Sequence, residues 1–471
     1  MGLHFLRSKT LAYTKLSILC MLALGVGVWF RGFYVGLPFE WFCFRPAVFV
    51  DLDRAANEVP LVGLNALWSE VNAQGQIQGV AYDLPGEIFH LPRLWRIAGY
   101  GGWGNELLNE GDFSRLEEYL IHLAARGLKG PQCLFIVGYT PKFLQDWERH
   151  PVGEAYAYLS RNFPTDWRAY LREIVRRSVR QGFAGAWWEI WNEPDYAFFW
   201  RDSWEHYLDL YLASVEAIKE EDPTAKVGGF ASMAGTSYDY SHEHLVSFLE
   251  RVRRAQLNHP GGSYLDFYSF HVYGQHPGDF ARPGRWPVGY RWRKIGEILR
   301  LKGLRRAAVA PIHNYFYPPE HGRSPAHHSY AYGLRAVDET LRCYGFEDTP
   351  LVIDEYGVAA KEQLRGAGYD LMIAEYALRL GRKVILCPFS LGGQYESAHP
   401  MWGPNWESTA RSVTYRWLVE ASRSGKVLAA KRHRLPVARG PNEDHVAVLA
   451  TRSGTGEVWV LLGHYVNLLS K

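Results

Sequence analysis

The chain has 471 residues, with 52 basic against 49 acidic side chains and a formal net charge of +3. So balanced a charge leaves no electrostatic footprint for nucleic acid, and no partner of that kind is expected. Five cysteines (Cys20, Cys43, Cys133, Cys343 and Cys387) are scattered without a CxxC spacing, which argues against a disulfide framework or a zinc site. Aromatic residues make up 15% of the chain, which suits either a large core or a cleft that stacks flat ligands such as sugars.

At the N-terminus, Arg7, Lys9 and Lys15 precede the uncharged run LSILCMLALGVGVWF (residues 16–30), the order of an export signal or a signal anchor. As a helix this run spans only about 22 Å against a hydrocarbon core of roughly 30 Å, a gap that a snorkelling Lys15 and residues 11–14 can close. No Ala-x-Ala site is visible, and Cys20 lies inside the apolar run, so an uncleaved anchor is favoured over a cleaved peptide. Residues 1–45 are therefore set apart as a membrane-directed and interfacial segment. The rest is expected on the periplasmic or extracellular side of a cell membrane, or secreted if the signal is cleaved.

From residue 60 onward, short apolar runs alternate with amphipathic stretches, the pattern of a parallel sheet wrapped by helices. Eight runs read as strands: 61–68, 93–100, 132–139, 186–193, 225–232, 265–273, 350–357 and 383–390. Between them FSRLEEYLIHLAARG, WRAYLREIVRRSV, residues 204–223, HEHLVSFLERVRR, MIAEYALRL and TARSVTYRWLVEA have helical periodicity. Eight such units predict a (β/α)8 TIM barrel over 46–423, with an open doubly wound sheet as the alternative.

Two regions depart from the alternation. The connection at about 275–349 is longer than a βα loop needs, and residues 282–306 hold nine Arg or Lys against Glu297 alone. It reads as an insertion whose basic face is either simply solvated or a surface for anionic polysaccharide or phospholipid. Within it, His313, His321, His327, His328 and Glu320 match no metal-ligand spacing and suit an aromatic loop bordering a cleft. In 424–471, two valine- and leucine-rich runs flank SGTGE and predict a β-hairpin, a small appendage that must pack on the barrel or on VFVDLD near residues 48–53.

Catalytic side chains of a β/α barrel come from the C-terminal strand ends. There the fourth strand finishes in WNEPD, with Asn192 and Glu193, and the seventh in IDEYG, with Asp354 and Glu355. Two carboxylates at one mouth are what glycosidic cleavage needs, one protonated to help the leaving oxygen and one ionised to meet the cationic carbon. A Glu193 enclosed by Trp188, Trp191 and Asn192 is expected to be poorly solvated and to keep its proton. Adjacent strand residues point to opposite faces, so only one of Asp354 and Glu355 is expected to face the pocket. Glu189, four residues before Glu193, is assigned to a supporting network with Arg96 or His271.

WEIWNEPD (residues 188–195) closely resembles the acid/base motif of glycoside hydrolase family 39, in the clan of retaining β/α-barrel glycosidases. LDFYSFHVYG, WRIAG and GYTPKFL are similar to the family's segments on strands six, two and three. The resemblance implies that Glu193 is the acid/base and Glu355 the nucleophile, that Asn192 holds a sugar hydroxyl, and that Arg96, His271 and Tyr273 orient nucleophile and substrate. It implies no metal and no cofactor. The end of strand eight, CPFSLGG, lacks the tryptophan often found in such barrels, and Trp402 or Trp406 is expected to take over its stacking role. With the N-terminal anchor, the resemblance suggests endo cleavage of a cell-surface or secreted polysaccharide, as in relatives that process exopolysaccharide beside an export machinery. An exo-acting enzyme of the β-xylosidase or α-iduronidase kind, a transglycosylase and a non-catalytic carbohydrate-binding protein of an export complex are the other readings.

Overall fold

In a computed structural model of the chain, the eight apolar runs form eight parallel strands that follow one another around a single sheet. The structure describes residues 6–8, 26–29, 32–35, 48–58, 61–66, 69–71, 77–79, 86–89, 91, 94–98, 112–138, 140–146, 160–196, 199–200, 202–235, 238–274, 330–358, 363–389, 401–403, 405–424, 426–432, 445–452 and 456–465. The strands are β1 (Leu61–Val62 and Leu64–Ala66), β2 (Trp95–Ala98), β3 (Cys133–Val137), β4 (Trp187–Ile190), β5 (Lys226–Ser232), β6 (Phe267–Gly274), β7 (Leu351–Val358) and β8 (Val384–Pro388).

One glycine closes the ring. Leu61–Val62 pairs with β8, Leu64–Ala66 pairs with β2, and Gly63 lies between the two halves. Gly63 N–H donates to Leu386 O at 2.8 Å and Leu64 N–H to Leu94 O at 2.8 Å, so the first strand changes partner within one residue. A Cβ at Gly63 would lie 2.5 Å from Leu94 O and 2.7 Å from Cys387 Sγ, so only glycine fits this crossing. The closed, sequential order excludes the doubly wound alternative, in which the strand order reverses.

Helices cover the outside of the ring, and their apolar spacing shows why. Thr165–Arg180 buries Trp167, Tyr170, Leu171, Ile174 and Val175, one stripe at helical spacing, and ends at Gln181 before Gly182 in the left-handed region (φ +91°). Each such side chain contributes about 1.5–3 kcal/mol on burial. Ser203 caps Trp204–Glu221 by accepting from His206 N–H at 3.2 Å. Strand residues of the opposite parity point inward. Leu94, Leu134, Trp187, Phe267, Val352, Ile385 and Cys387 form a separate apolar floor inside the barrel.

A second sheet lies outside the ring. His445–Arg452 and Val458–Tyr465 form the expected hairpin, and Lys426–Arg432 joins it to Val48–Glu58, the strand containing VFVDLD. It packs on the helix Gln363–Leu378, where a Cβ on Gly463 would meet Leu371 Cδ1 at 2.3 Å. Of residues 1–45, the structure describes only the short strands Leu6–Ser8, Val26–Trp29 and Gly32–Val35, which extend this sheet. The remainder of the expected anchor, the basic insertion over 275–329 and its histidine cluster lie outside the described residues. Among the described residues, no helix is long and apolar enough to cross a membrane.

Candidate active site

Two residues beyond the apolar floor, the same strands turn polar. Leu94 is followed at the same parity by Arg96, Trp187 by Glu189, Phe267 by Ser269, His271 and Tyr273, and Val352 by Asp354. Arg96 is fully buried and serves as the hub. Its Nε and Nη2 donate to Glu189 Oε1 at 2.9 and 2.7 Å, its Nη1 to Glu355 Oε1 at 2.6 Å and its Nη2 to Asn192 Oδ1 at 3.2 Å. Asp354 Oδ2 lies 3.0 Å from the same Nη2. Burial alone would disfavour the guanidinium charge, but Glu189, Asp354 and Glu355 outweigh it and hold Arg96 firmly protonated.

Glu193 is delivered by a strained turn at the end of β4. Trp191 and Glu193 both adopt left-handed backbone conformations (φ +73° and +47°), which non-glycine residues keep only when their surroundings over-determine them. The surroundings do so here. Trp191 N–H donates to Val137 O at 2.6 Å and Glu193 N–H to Ala231 O at 3.2 Å. Trp191 Nε1 donates to Phe199 O at 2.8 Å, and its ring meets Trp200 edge to face at 4.9 Å. Asp195, fully buried, accepts from Met233 N–H at 3.1 Å and Ser241 Oγ at 2.5 Å, tying the turn to the end of β5 and to the helix Tyr238–Asn258.

The expected enclosure by tryptophans needs correcting. Trp188 has the outward parity and packs against Phe135 at 5.1 Å in the layer between strands and helices, away from Glu193. Trp187, of inward parity, belongs to the barrel floor. Burial still raises the Glu193 carboxyl above its ordinary value, although His271 pulls the other way. His271 Nδ1 lies 2.5 Å from Glu193 Oε1, and His271 Nε2 lies 3.2 Å from Asp354 Oδ2. Burial would lower the imidazole, but Glu355, Asp354 and Glu193 together push it well above its ordinary value, so the ring favours the cation.

The alternation argument for Asp354 and Glu355 also fails, for a definite reason. Phe270 is opposite Ile353, but the next residue, His271, is opposite Glu355, so Asp354 is the extra residue of a β-bulge. The bulge resets the parity of β7 and turns both carboxylates inward. Asp354 reaches Arg96 and His271, while Glu355 accepts from Arg96 Nη1 and from Tyr273 Oη at 2.5 Å. Asn65 Nδ2 on β1 donates to Asp354 O at 2.8 Å and steadies the bulge.

Thus Arg96, Asn192, Glu193, His271, Tyr273 and Glu355 come together at one mouth, with Glu189 beneath them against Arg96. Trp402 is not among them. It is 1% exposed, its ring packs edge to face on Tyr415 at 5.7 Å, and it pairs with Ser408, leaving no open face for a sugar in this arrangement. Sequence reasoning passed over Asp195 and Asn65, for which the only signal was Asp195's place in the NEPD string, and allowed only one of Asp354 and Glu355 to face the pocket.

One ligand atom from each of Glu193, His271 and Glu355 lies within 4.8 Å of the other two. The spacing would span a cation, but these donors are committed to one another and to Arg96 and Tyr273. With carboxylate oxygens of Glu193 and Glu355 within 4.8 Å of each other, the pair lies closer than the roughly 6.5–9.5 Å that leaves room for an intervening water and accords with the close spacing, about 5–5.5 Å, of a retaining pair.

A parallel barrel whose fourth and seventh strands bring two close glutamates to one mouth has the architecture of the β/α-barrel carboxylate-pair sites. The model of the glycosyl hydrolases family 39 matches residues 160–286, so the family 39 resemblance holds for the segment that supplies β4, β5 and β6 with Glu193, His271 and Tyr273. The chain is similar to a beta-xylosidase of Caldicellulosiruptor saccharolyticus, 27% identical over 217 residues, which are 41% of this chain and 40% of that protein. It is also similar to a beta-xylosidase of Geobacillus stearothermophilus, 34% identical over 86 residues, 18% of this chain and 15% of that one. The chain therefore matches less than half the length of these curated relatives. Among solved structures, a monomeric beta-xylosidase from Caulobacter crescentus shares the fold, with a TM-score of 0.56 and 17% identity over 86% of this chain and 74% of that one.

Proposed function

We propose that the protein is a retaining glycoside hydrolase that cleaves an O-glycosidic bond by double displacement. The observation that carries this reading is the asymmetry of two close carboxyl groups. Burial favours the protonated form of Glu193, while Glu355 accepts from Arg96 at 2.6 Å and from Tyr273 at 2.5 Å, donors suited to an ionised group.

In the first half-reaction a Glu355 oxygen attacks the anomeric carbon and the bond to the leaving oxygen breaks. Glu193 gives that oxygen its proton, and His271 stabilises the carboxylate left behind. In the second, Glu193 takes a proton from water, whose oxygen attacks the anomeric carbon and releases Glu355 with net retention. Asn192, held by Arg96 at 3.2 Å, is placed to hold a hydroxyl of the bound sugar beside the reacting carbon.

The substrate belongs to the same proposal. The beta-xylosidase names of the two relatives favour xylosides as the first compounds to test. The anchor-like residues 1–45 and the basic insertion favour a membrane-associated enzyme that cuts an exported polysaccharide internally, beside the export machinery. A digest of a glycan library by the full chain, read by mass, separates the two: single sugars mean exo cleavage, and oligosaccharides mean endo cleavage. Hydrolysis abolished by Glu355→Gln supports the enzyme, whereas sugar binding without turnover in both proteins would replace it with a carbohydrate-binding role.

A further inference from the structure

Beneath the proposed catalytic pair, the barrel holds two more carboxyl groups, Glu189 and Asp354, both fully buried. Glu189 Oε1 accepts both of its hydrogen bonds from Arg96, and Asp354 Oδ2 faces Arg96 at 3.0 Å and His271 at 3.2 Å. The second oxygens, Glu189 Oε2 and Asp354 Oδ1, are buried and, among the described residues, meet no N–H or O–H donor. The two carboxyl groups nevertheless lie side by side, because Glu189 Oε1 and Asp354 Oδ2 converge on one atom, Arg96 Nη2, at 2.7 and 3.0 Å. Ionised carboxylates are acceptors only, so a bond between these two exists only if one carries a proton.

We propose that Glu189 holds this proton and donates it to Asp354, which makes Glu189 a positioning residue for His271 and, through it, for Glu193. The role given to Glu193 rests on the glycosidase reading, whereas the location of the proton does not.

Asp354 is the weaker holder, because two cationic partners face it, Arg96 from β2 and His271 from β6. Glu189 has only Arg96, whose other N–H groups serve Glu355 and Asn192. Burial first, and then the charge and hydrogen bond of Asp354, push the Glu189 carboxyl up to about 8 against the pull of Arg96. Burial also opposes ionisation of Asp354, but Arg96 and His271 keep it below its ordinary value. The other titratable groups around the pair are Glu355 on β7, Cys387 on β8 and Tyr207 on the helix Trp204–Glu221. Burial holds the Cys387 thiol and the Tyr207 phenol neutral. With Glu189 and Glu193 both protonated, Arg96 and His271 balance Asp354 and Glu355, and the buried cluster is neutral. Ionising Glu189 as well would leave one uncompensated negative charge inside the barrel.

Infrared spectra of the full chain test the assignment. Glu193→Gln removes the neighbouring carboxyl that burial also favours in its protonated form, so the protonated carboxyl band of interest is the one present near pH 7 in that variant, titrating as pH rises through about 8 and lost in the double variant with Glu189→Gln. No band in Glu193→Gln, or a band that survives Glu189→Gln and disappears with Asp354→Asn, overturns the proposal. Should Glu189→Gln fail to fold, side-chain carboxyl-13C glutamate incorporated into Glu193→Gln decides instead: the band shifts to lower frequency if Glu189 carries the proton, and an unshifted band, which puts the proton on an aspartate, overturns the proposal. On an aryl glycoside, Glu189→Ala is expected to lower kcat/KM at least about 100-fold, with Glu189→Gln, which keeps a neutral donor to Asp354, recovering at least about tenfold. Equal losses in both variants would reduce Glu189 to a filler of space. The infrared assignment stands or falls independently of turnover, so an inactive protein with the expected band refutes the glycosidase reading and leaves the proton in place.

Discussion

Replacing His271 by Gln tests how the proposed acid is tuned. The imidazole is fully buried, lies 2.5 Å from Glu193 and 3.2 Å from Asp354, and its charge opposes the upward push that burial gives Glu193. Without that cation Glu193 holds its proton to still higher pH. A general acid loses activity as pH rises through its pKa, so the alkaline limb of kcat/KM moves to higher pH. The carboxylate formed after proton transfer also loses a charge-assisted hydrogen bond, about 1.5–3 kcal/mol, or roughly 10- to 150-fold in rate. The assay is kcat/KM against pH, from about 5 to 10, for two aryl glycosides of one sugar. A phenyl leaving group, whose oxygen needs a proton to depart, shows the full loss, whereas a dinitrophenyl group departs without a proton and shows little. A limb that moves to lower pH, or equal losses with both leaving groups, would refute the assignment of Glu193 and its tuning by His271.

Tyr273→Phe removes the 2.5 Å hydrogen bond to Glu355 from a half-buried ring, so kcat/KM on an aryl glycoside should fall about 10- to 100-fold while Tm changes little. An unchanged kcat/KM would mean that Tyr273 is not part of the site. Gly63→Ala places a Cβ 2.5 Å from Leu94 O and should destabilise the barrel by roughly 1–3 kcal/mol in urea unfolding; an unshifted midpoint contradicts the closure described for β1. For Glu189 the folded-state value of about 8 lies above the ordinary 4.5, so between these the folded protein binds more protons than the unfolded chain. Its contribution is complete at low pH and is lost as pH rises through that window, at up to about 1.4 kcal/mol per pH unit. Denaturant titrations of Glu189→Gln should lack this component of the slope, and an unchanged slope would contradict it.

The barrel was legible because each strand is an apolar run bounded by amphipathic helices, and Glu193 because a strand of tryptophans has no use for Asn-Glu-Pro at its end. What escaped the sequence were local breaks of periodicity. Parity reasoning placed Asp354 and Glu355 on opposite faces, but a bulge in β7 turned both inward, and no residue type in IDEYG announces a bulge. The change of partner within β1 rests on Gly63, which in isolation reads as an ordinary glycine in an apolar run. Trp188 was expected beside Glu193 by sequence proximity, yet the pleat sends it to Phe135. The strand Lys426–Arg432 went unread because its two lysines and arginine interrupt the apolar alternation that marks its neighbours.

Trapping by a 2-fluoro glycoside tests the central claim most directly, because it arrests the glycosyl-enzyme that only a double displacement forms. An activated 2-fluoro glycoside of a sugar that the full chain hydrolyses should inactivate it with one label per chain, and peptide mass analysis should place that label on Glu355. Inactivation should fail in Glu355→Gln. A label on another residue, or turnover that releases the inverted anomer and leaves no label, would contradict the account.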